Sequence, residues 1–149
     1  MTECVFCTVV RELKKGDVYR SPSGGAYRKV RELKASVAIL GHDQFYRGYT
    51  VVIAKTHATE LYHLDVDELA RYLSDMVGVA RAINQAFTPR KMNYECLGNT
   101  VPHLHWHLFP RYADDPNPTR PIWEHSHKPP PLSDADANAT IAALRQHLS

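Results

Sequence analysis

The sequence predicts an α+β fold from three observations: two pairs of neighbouring strand segments, one long amphipathic helix between the pairs, and no internal repeat or linker. The first pair is Val37–Leu40 and Tyr49–Ala54, short apolar runs whose connection is marked by Gly41 and Gly48, which reads as a hairpin. The helix runs from about Val66 to Phe87, where Leu69, Tyr72, Leu73, Met76, Val77, Ala80, Ile83 and Phe87 recur at three- and four-residue steps and make one stripe. Asp65 suits the N-cap because its carboxylate can accept from first-turn amides. Glu68 completes a capping-box pattern, and Leu64 is placed to staple onto Leu69. Gly78 costs about 1 kcal/mol relative to Ala inside a helix, so close packing is expected there. The second strand pair, Met92–Leu97 and His103–Phe109, follows Pro89. Pro110, Pro116, Pro118, Pro121 and Pro129–Pro131 then exclude regular structure and predict an extended arm over 112–132. Ser133 or Asp134 caps a short helix within 133–149 carrying Ile141, Leu144 and Leu148, and residues 1–149 read as a single domain.

Composition fits that reading. The 149 residues carry 18 Lys plus Arg against 16 Asp plus Glu, with 44% hydrophobic and 23% charged residues. A chain of this length buries about 68 to 70% of its unfolded surface, so it needs no disulfide scaffold. No apolar run is long enough to span a bilayer, and the opening MTECVFCTVV lacks a basic start and a long apolar stretch. A cytoplasmic protein with no membrane association is expected. Three cysteines are few and odd in number; Cys4-x-x-Cys7 points to metal or thiol chemistry in a reducing compartment, and Cys96 to the core. From Arg11 to Lys34, eight basic residues face three acidic ones. This local excess suits either a phosphate-bearing partner or a plain solvated face. No basic run interleaves with stacking aromatics, so specific nucleic-acid binding is not expected.

The chemistry concentrates in His103-Leu104-His105-Trp106-His107-Leu108-Phe109, which alternates polar and apolar with the period of a strand. His103, His105 and His107 therefore share one face, while Leu104, Trp106 and Leu108 point into a core. Alternate imidazoles on a strand stand about 6.6 Å apart at the backbone, near enough to converge on one phosphate. Neutral imidazole is available at pH 7, so one ring can attack an electrophile while a neighbour donates a proton to the leaving atom. Two other readings remain open from the residues alone: a ladder of half-buried histidines, and a metal site built on His-x-His.

These residues, with Gly98-Asn99-Thr100-Val101-Pro102 before them, resemble the histidine triad (HIT) superfamily of nucleotide hydrolases and transferases, whose signature alternates three His with apolar residues. The Cys4-x-x-Cys7 pair, Ala54-Lys55-Thr56-His57, the helix capped near Asp65 and the Asn93 strand follow in the family's order over about residues 4–111. The likeness is to the zinc-type, CxxC-containing branch, similar to diadenosine tetraphosphate hydrolase-like members. It implies a roughly five-stranded antiparallel sheet with one long and one short helix, a proline-rich C-terminal arm and a homodimer.

The resemblance also implies an enzyme: a hydrolase acting on phosphoanhydride or phosphoramidate bonds, with nucleotidyl transfer as a related outcome. His105 would attack the α-phosphorus to give a nucleotidyl-histidine, His107 would assist the leaving group, and water would release a nucleoside monophosphate. Asn99, Thr100 and Asn93 match phosphate-contacting positions, and Asp43 the ribose position, although an Asp in a turn also commonly bonds its own backbone. Cys4, Cys7, His57 and His103 match a structural zinc set, with no organic cofactor. Dinucleoside polyphosphates are the expected substrates because the basic segment suits a long anionic leaving group. The alternatives are nucleoside phosphoramidates, or a nucleotide-binding or scaffold dimer with little turnover. Pro102 and Trp106 depart from the commonest pattern, and Trp123 lies in an arm like those by which some members cover the partner's site.

Overall fold

Alternation along the strands fixes which side of the sheet each residue faces. The computed structural model describes residues 3–149; Met1 and Thr2, where the expected domain begins, lie outside the described residues. Its strands are β1 (Val18–Arg20), β2 (Ala26–Glu32), β3 (Ser36–Leu40), β4 (Thr50–Ala54), β5 (Lys91–Glu95) and β6 (His105–Arg111). They form one antiparallel sheet in the order β1-β2-β3-β4-β6-β5. The sheet has six strands where about five were expected, because the basic segment 11–34 folds into the β1–β2 hairpin. Its charged side chains hide the strand period. Ahead of the sheet lies α1 (Val5–Glu12), then α2 (Val66–Phe87) between β4 and β5, and α3 (Asp134–Arg145) near the C-terminus.

Both faces of the sheet are covered, which is why β3 and β4 are buried at every position and read as unbroken apolar runs. On one face Ala38, Leu40, Val52 and Leu108 pack with Tyr72, Val79 and Ile83 of α2 and with Ala137, Ile141 and Leu144 of α3. Burying one such large side chain contributes about 1.5 to 3 kcal/mol. On the other face Val37, Ile39, Val51, Ile53 and Phe109 meet Val9, Val10 and Leu13 of α1, together with Tyr46, Tyr49 and Ile122.

Helix α2 has the expected bounds, and its Asp65 cap accepts from the Glu68 amide at 2.8 Å. The capping box is only half made, because the Glu68 carboxylate accepts from the Thr56 hydroxyl. The stripe is also rotated: Val79 is fully buried, whereas Val77 is 46% exposed. Asp75 completes the buried side, accepting from the Ala35 amide and the Ser36 hydroxyl, both at 2.8 Å. The close packing expected at Gly78 is not found; a Cβ there would meet nothing within 4 Å. Ser133 rather than Asp134 caps α3, its hydroxyl accepting from the Asp136 amide at 3.0 Å.

The chain from 112 to 132 contains one short helical turn, Ile122–Glu124. Arg111 anchors its start. That guanidinium pairs with Asp115, both side chains almost fully buried, and donates to the Asn93 side-chain Oδ1 at 2.6 Å and the Arg120 backbone carbonyl at 2.8 Å. A buried pair survives only when its remaining hydrogen-bonding capacity is met, and the Asn93 side chain and the Arg120 backbone meet it.

Candidate active site and metal centre

Strand β6 begins at His105, two residues later than the alternation predicted. His103 and Leu104 precede it, with Leu104 held between the backbones of Ala54 and Ala58. The register nevertheless keeps the expected facing. Ile53 lies opposite His105 and Val51 opposite His107, all on the α1 side, while Val52 lies opposite Trp106 on the helix side.

Backbone carbonyls set the proton positions on two of the imidazoles, since a carbonyl can only accept. His105 Nδ1 lies 2.6 Å from the His103 carbonyl oxygen, so Nδ1–H donates and the Nε2 lone pair is left free. His103 Nε2 lies 2.8 Å from the Ala54 carbonyl oxygen, so its Nδ1 carries the lone pair. His107 Nδ1 lies 2.6 Å from the Tyr49 hydroxyl. The His105 and His107 ring centroids are 4.8 Å apart, and Phe6 of α1 sets its edge against His105 at 4.8 Å. Burial lowers the pKa of all three histidines, that of His107 to about 4, so the site holds neutral imidazoles at pH 7. A neutral ring with a free Nε2 is a nucleophile needing no prior deprotonation.

The His103 lone pair points into a second cluster. The ligand atoms of Cys4, Cys7, His57 and His103 all lie within 4.8 Å of one another. His103 Nδ1 is 3.4 Å from Cys4 Sγ, 3.6 Å from Cys7 Sγ and 3.2 Å from His57 Nδ1, and Cys7 Sγ is 3.3 Å from His57 Nδ1. A zinc tetrahedron with ordinary bond lengths has N···N edges of about 3.4 Å and N···S edges of about 3.5 Å. The donor set therefore fits that ion in spacing and chemistry, and the Ala54 carbonyl supplies the outer hydrogen bond that orients a ligating imidazole. Burial, then the neighbouring Cys4 sulfur, push the Cys7 thiol up; a cation at the centre of the four ligands acts in the opposite sense.

The remaining sequence-derived positions divide. Asn93 shares the triad's face opposite Phe109, but its side-chain Oδ1 is taken by Arg111. Asn99 and Thr100 are exposed in the bend before His103. Asp43 accepts from the Phe45 amide at 3.1 Å, as a turn Asp does, and its other oxygen lies 2.7 Å from His127 Nε2 of the arm. Cys96, expected in the core, packs half-buried against the core on the α2 side and lines a cavity of about 210 Å³ with His103, Leu104 and His105. The arm lies on its own chain: Trp123 stands edge-on to His107 at 5.6 Å, and its indole N–H donates to Glu95. A larger groove of about 800 Å³ runs between α2 and the C-terminus, away from these groups, so the candidate site is chosen by its chemistry rather than by volume.

Sequence reasoning missed Tyr49, Phe6 and Glu95. Parity would have found Tyr49 and Glu95 once the strand pairing was known, since Glu95 lies opposite His107 and Tyr49 shares the face of Val51. Phe6 carried no signal beyond its place between the two cysteines.

A family model described as HIT domain matches residues 26–114, a stretch that contains His57 and the triad but not the cysteine pair. Protein hit of Bacillus subtilis is 36% identical over 116 residues, covering 74% of this chain and 72% of that protein. Among solved structures, a histidine triad protein from Bradyrhizobium japonicum superposes with a TM-score of 0.72 at 25% identity, over 93% of this chain and 95% of that one. A zinc-bound histidine triad family protein from Mycobacterium smegmatis does so with a TM-score of 0.69 at 25% identity, over 97% and 94%.

Proposed function

The chain belongs to the HIT domain family, whose members are in general nucleotide hydrolases or transferases, and from that premise we propose that it is a hydrolase that cleaves at the α-phosphate of a nucleotide through His105. The observation that carries this is the His105 Nδ1–H bond to the His103 carbonyl, which leaves Nε2 as the attacking lone pair. Nε2 forms a bond to the α-phosphorus and the bond from phosphorus to the leaving oxygen or nitrogen breaks; the leaving atom lies beside His107 and takes its proton from solvent water. Water then attacks the nucleotidyl-histidine, frees Nε2 and releases the nucleoside monophosphate. In this reading Asn99 and Thr100 close over the phosphate, Asn93 contributes its free amide, and Asp43 takes the ribose in exchange for His127.

The leaving group is read from charge. Much of the basic segment first read as favouring polyphosphates is engaged elsewhere: Arg20 and Arg28 with Asp134, Lys29 with Asp17, Arg11 with Glu3. Its β1–β2 part is separated from β6 by β3 and β4. Beside His107 stands Glu95 instead. A carboxylate there suits a cationic amine better than a polyphosphate, which favours nucleoside phosphoramidates over dinucleoside polyphosphates as substrates.

Cys4, Cys7, His57 and His103 would hold zinc, which would supply a closed structural clamp joining α1 to the start of β6. We also read β5, the terminal strand of the sheet, as the edge of a homodimer, with Tyr94 and Leu97 exposed beside it. Light scattering at micromolar concentration tests that reading, and a monomer would remove it. No helix among the described residues is long and apolar enough to cross a membrane; the three free cysteines favour a reducing, cytoplasmic location.

Intact-protein mass spectrometry after brief incubation with adenosine phosphoramidate or diadenosine tetraphosphate, with AMP quantified, tests the proposal. An adduct and AMP that both vanish in His105→Ala are expected. Bound nucleotide without adduct or product would favour a nucleotide-binding or scaffold protein.

A further inference from the structure

Tyr49 is the residue just before β4, and its ring is buried on the triad's side of the sheet. It stacks on Phe109 with centroids 3.9 Å apart and planes 14° apart. It also lies flat over Gly41, where any Cβ would collide with the ring, so the phenol has little freedom to turn. Its hydroxyl lies 2.6 Å from His107 Nδ1, and among the described residues no other hydrogen-bond partner reaches it.

Two proton arrangements satisfy that distance. Either the phenol donates to a bare Nδ1, or Nδ1–H donates to the phenol oxygen. The second leaves the phenolic hydrogen without a protein acceptor in a buried position, a cost of about 1 to 3 kcal/mol. It would also turn the His107 Nε2 lone pair into the site beside that of His105. The first arrangement satisfies both groups. Burial pushes the Tyr49 phenol well up, so it keeps its proton, and the half-buried His107 ring is neutral and carries a single N–H.

We propose that Tyr49 is a positioning residue that fixes His107 in its Nε2–H tautomer, so that the third histidine presents a donor to the leaving atom. The tautomer follows from that contact and the burial around it; its role in turnover rests on the hydrolase reading above. A phenol here orients without titrating near neutrality. Its effect is greatest where the leaving atom most needs a hydrogen bond, and smallest where the leaving group departs unaided.

Tyr49→Phe tests this because it keeps the ring and its stack on Phe109. With adenosine phosphoramidate kcat is expected to fall about 100-fold, with KM changed less than about threefold. With the p-nitrophenyl ester of AMP, whose leaving group is already good, the loss is expected to stay under about fivefold. Nitrogen-15 chemical shifts of the wild-type His107 ring should show a protonated Nε2 and an unprotonated Nδ1, and in Tyr49→Phe a mixture of tautomers. A protonated Nδ1 in the wild type would overturn the proposal, and that measurement does not depend on how the variant folds. Equal losses with the two substrates, or an unchanged tautomer in the variant, would overturn it as well. A wild-type protein that turns over neither substrate yet shows the Nε2–H ring would remove the hydrolase reading while leaving the tautomer assignment standing.

Discussion

The two faces of the sheet solve different problems with the same strands. On the α2 and α3 side the contacts are largely apolar, and the buried polar side chains serve the fold: Asp75 ties down the backbone at Ala35, and the Tyr72 hydroxyl donates to the Val52 carbonyl at 3.1 Å. On the α1 side His103, His105 and His107 are packed among aromatic rings, yet each keeps one nitrogen fixed by a neighbour and the other turned toward chemistry. The difference shows how a buried polar group keeps a spare capacity: its neighbour engages one ring nitrogen and leaves the other free to meet a further group.

Substitutions on the two faces should therefore separate activity from stability. The largest effect is expected from His105→Ala, with loss of AMP release by at least about 10³-fold and a midpoint of urea unfolding close to that of the wild type. On the helix face Ile83→Ala should do the reverse, costing about 2 to 5 kcal/mol of unfolding free energy while the folded fraction keeps its turnover per molecule. A variant that loses both properties equally from either face would break the distinction.

Metal removal lies between the two. Cys7→Ser, or chelation, should lower the thermal midpoint by about 5 °C or more and shift the near-ultraviolet signal of the aromatic rings around Phe6. Elemental analysis that finds no zinc in the purified wild type would end the clamp reading.

Acid sharpens the comparison next. An unfolded histidine titrates near 6.5, whereas burial lowers folded His107 to about 4. The unfolded chain therefore binds more protons between those values, and stability from the neutral ring is complete above about 6.5 and lost as pH falls toward 4. Unfolding free energy measured from pH 7 to 4 should fall less steeply in His107→Gln than in the wild type; an identical slope would assign the acid sensitivity to other groups. The smallest effect is expected on the helix face, where Gly78→Ala adds a methyl into open space and should stabilise by about 1 kcal/mol, read as a small rise in thermal midpoint.

What the sequence disclosed follows the strength of local periodicity. Helix α2 was legible at both ends because Asp65 and the apolar stripe agree, and the shared face of His105 and His107 was legible from the alternation around them. The β1–β2 hairpin was not, since its tyrosines and valines are interleaved with Arg28, Lys29 and Arg31, and charge dominated the reading. Helix α1 was hidden by its brevity. Tyr49, Glu95 and Trp123 became partners of His107 only through strand pairing and the path of the arm, and these nonlocal contacts leave no local pattern.

The two-residue period of β6 has a consequence for how this chain can change length. Core and chemistry are written on one ruler, with Trp106 and Leu108 on one side and His105, His107 and Phe109 on the other. Deleting or inserting a single residue within β6 would send the imidazoles toward α2 and the core residues toward the ligand. Length variation is therefore tolerable in the bend at 97–102 or along the proline-rich arm, but not within the strand. Shuffled or recombined versions of the chain should survive only where their junctions preserve that parity.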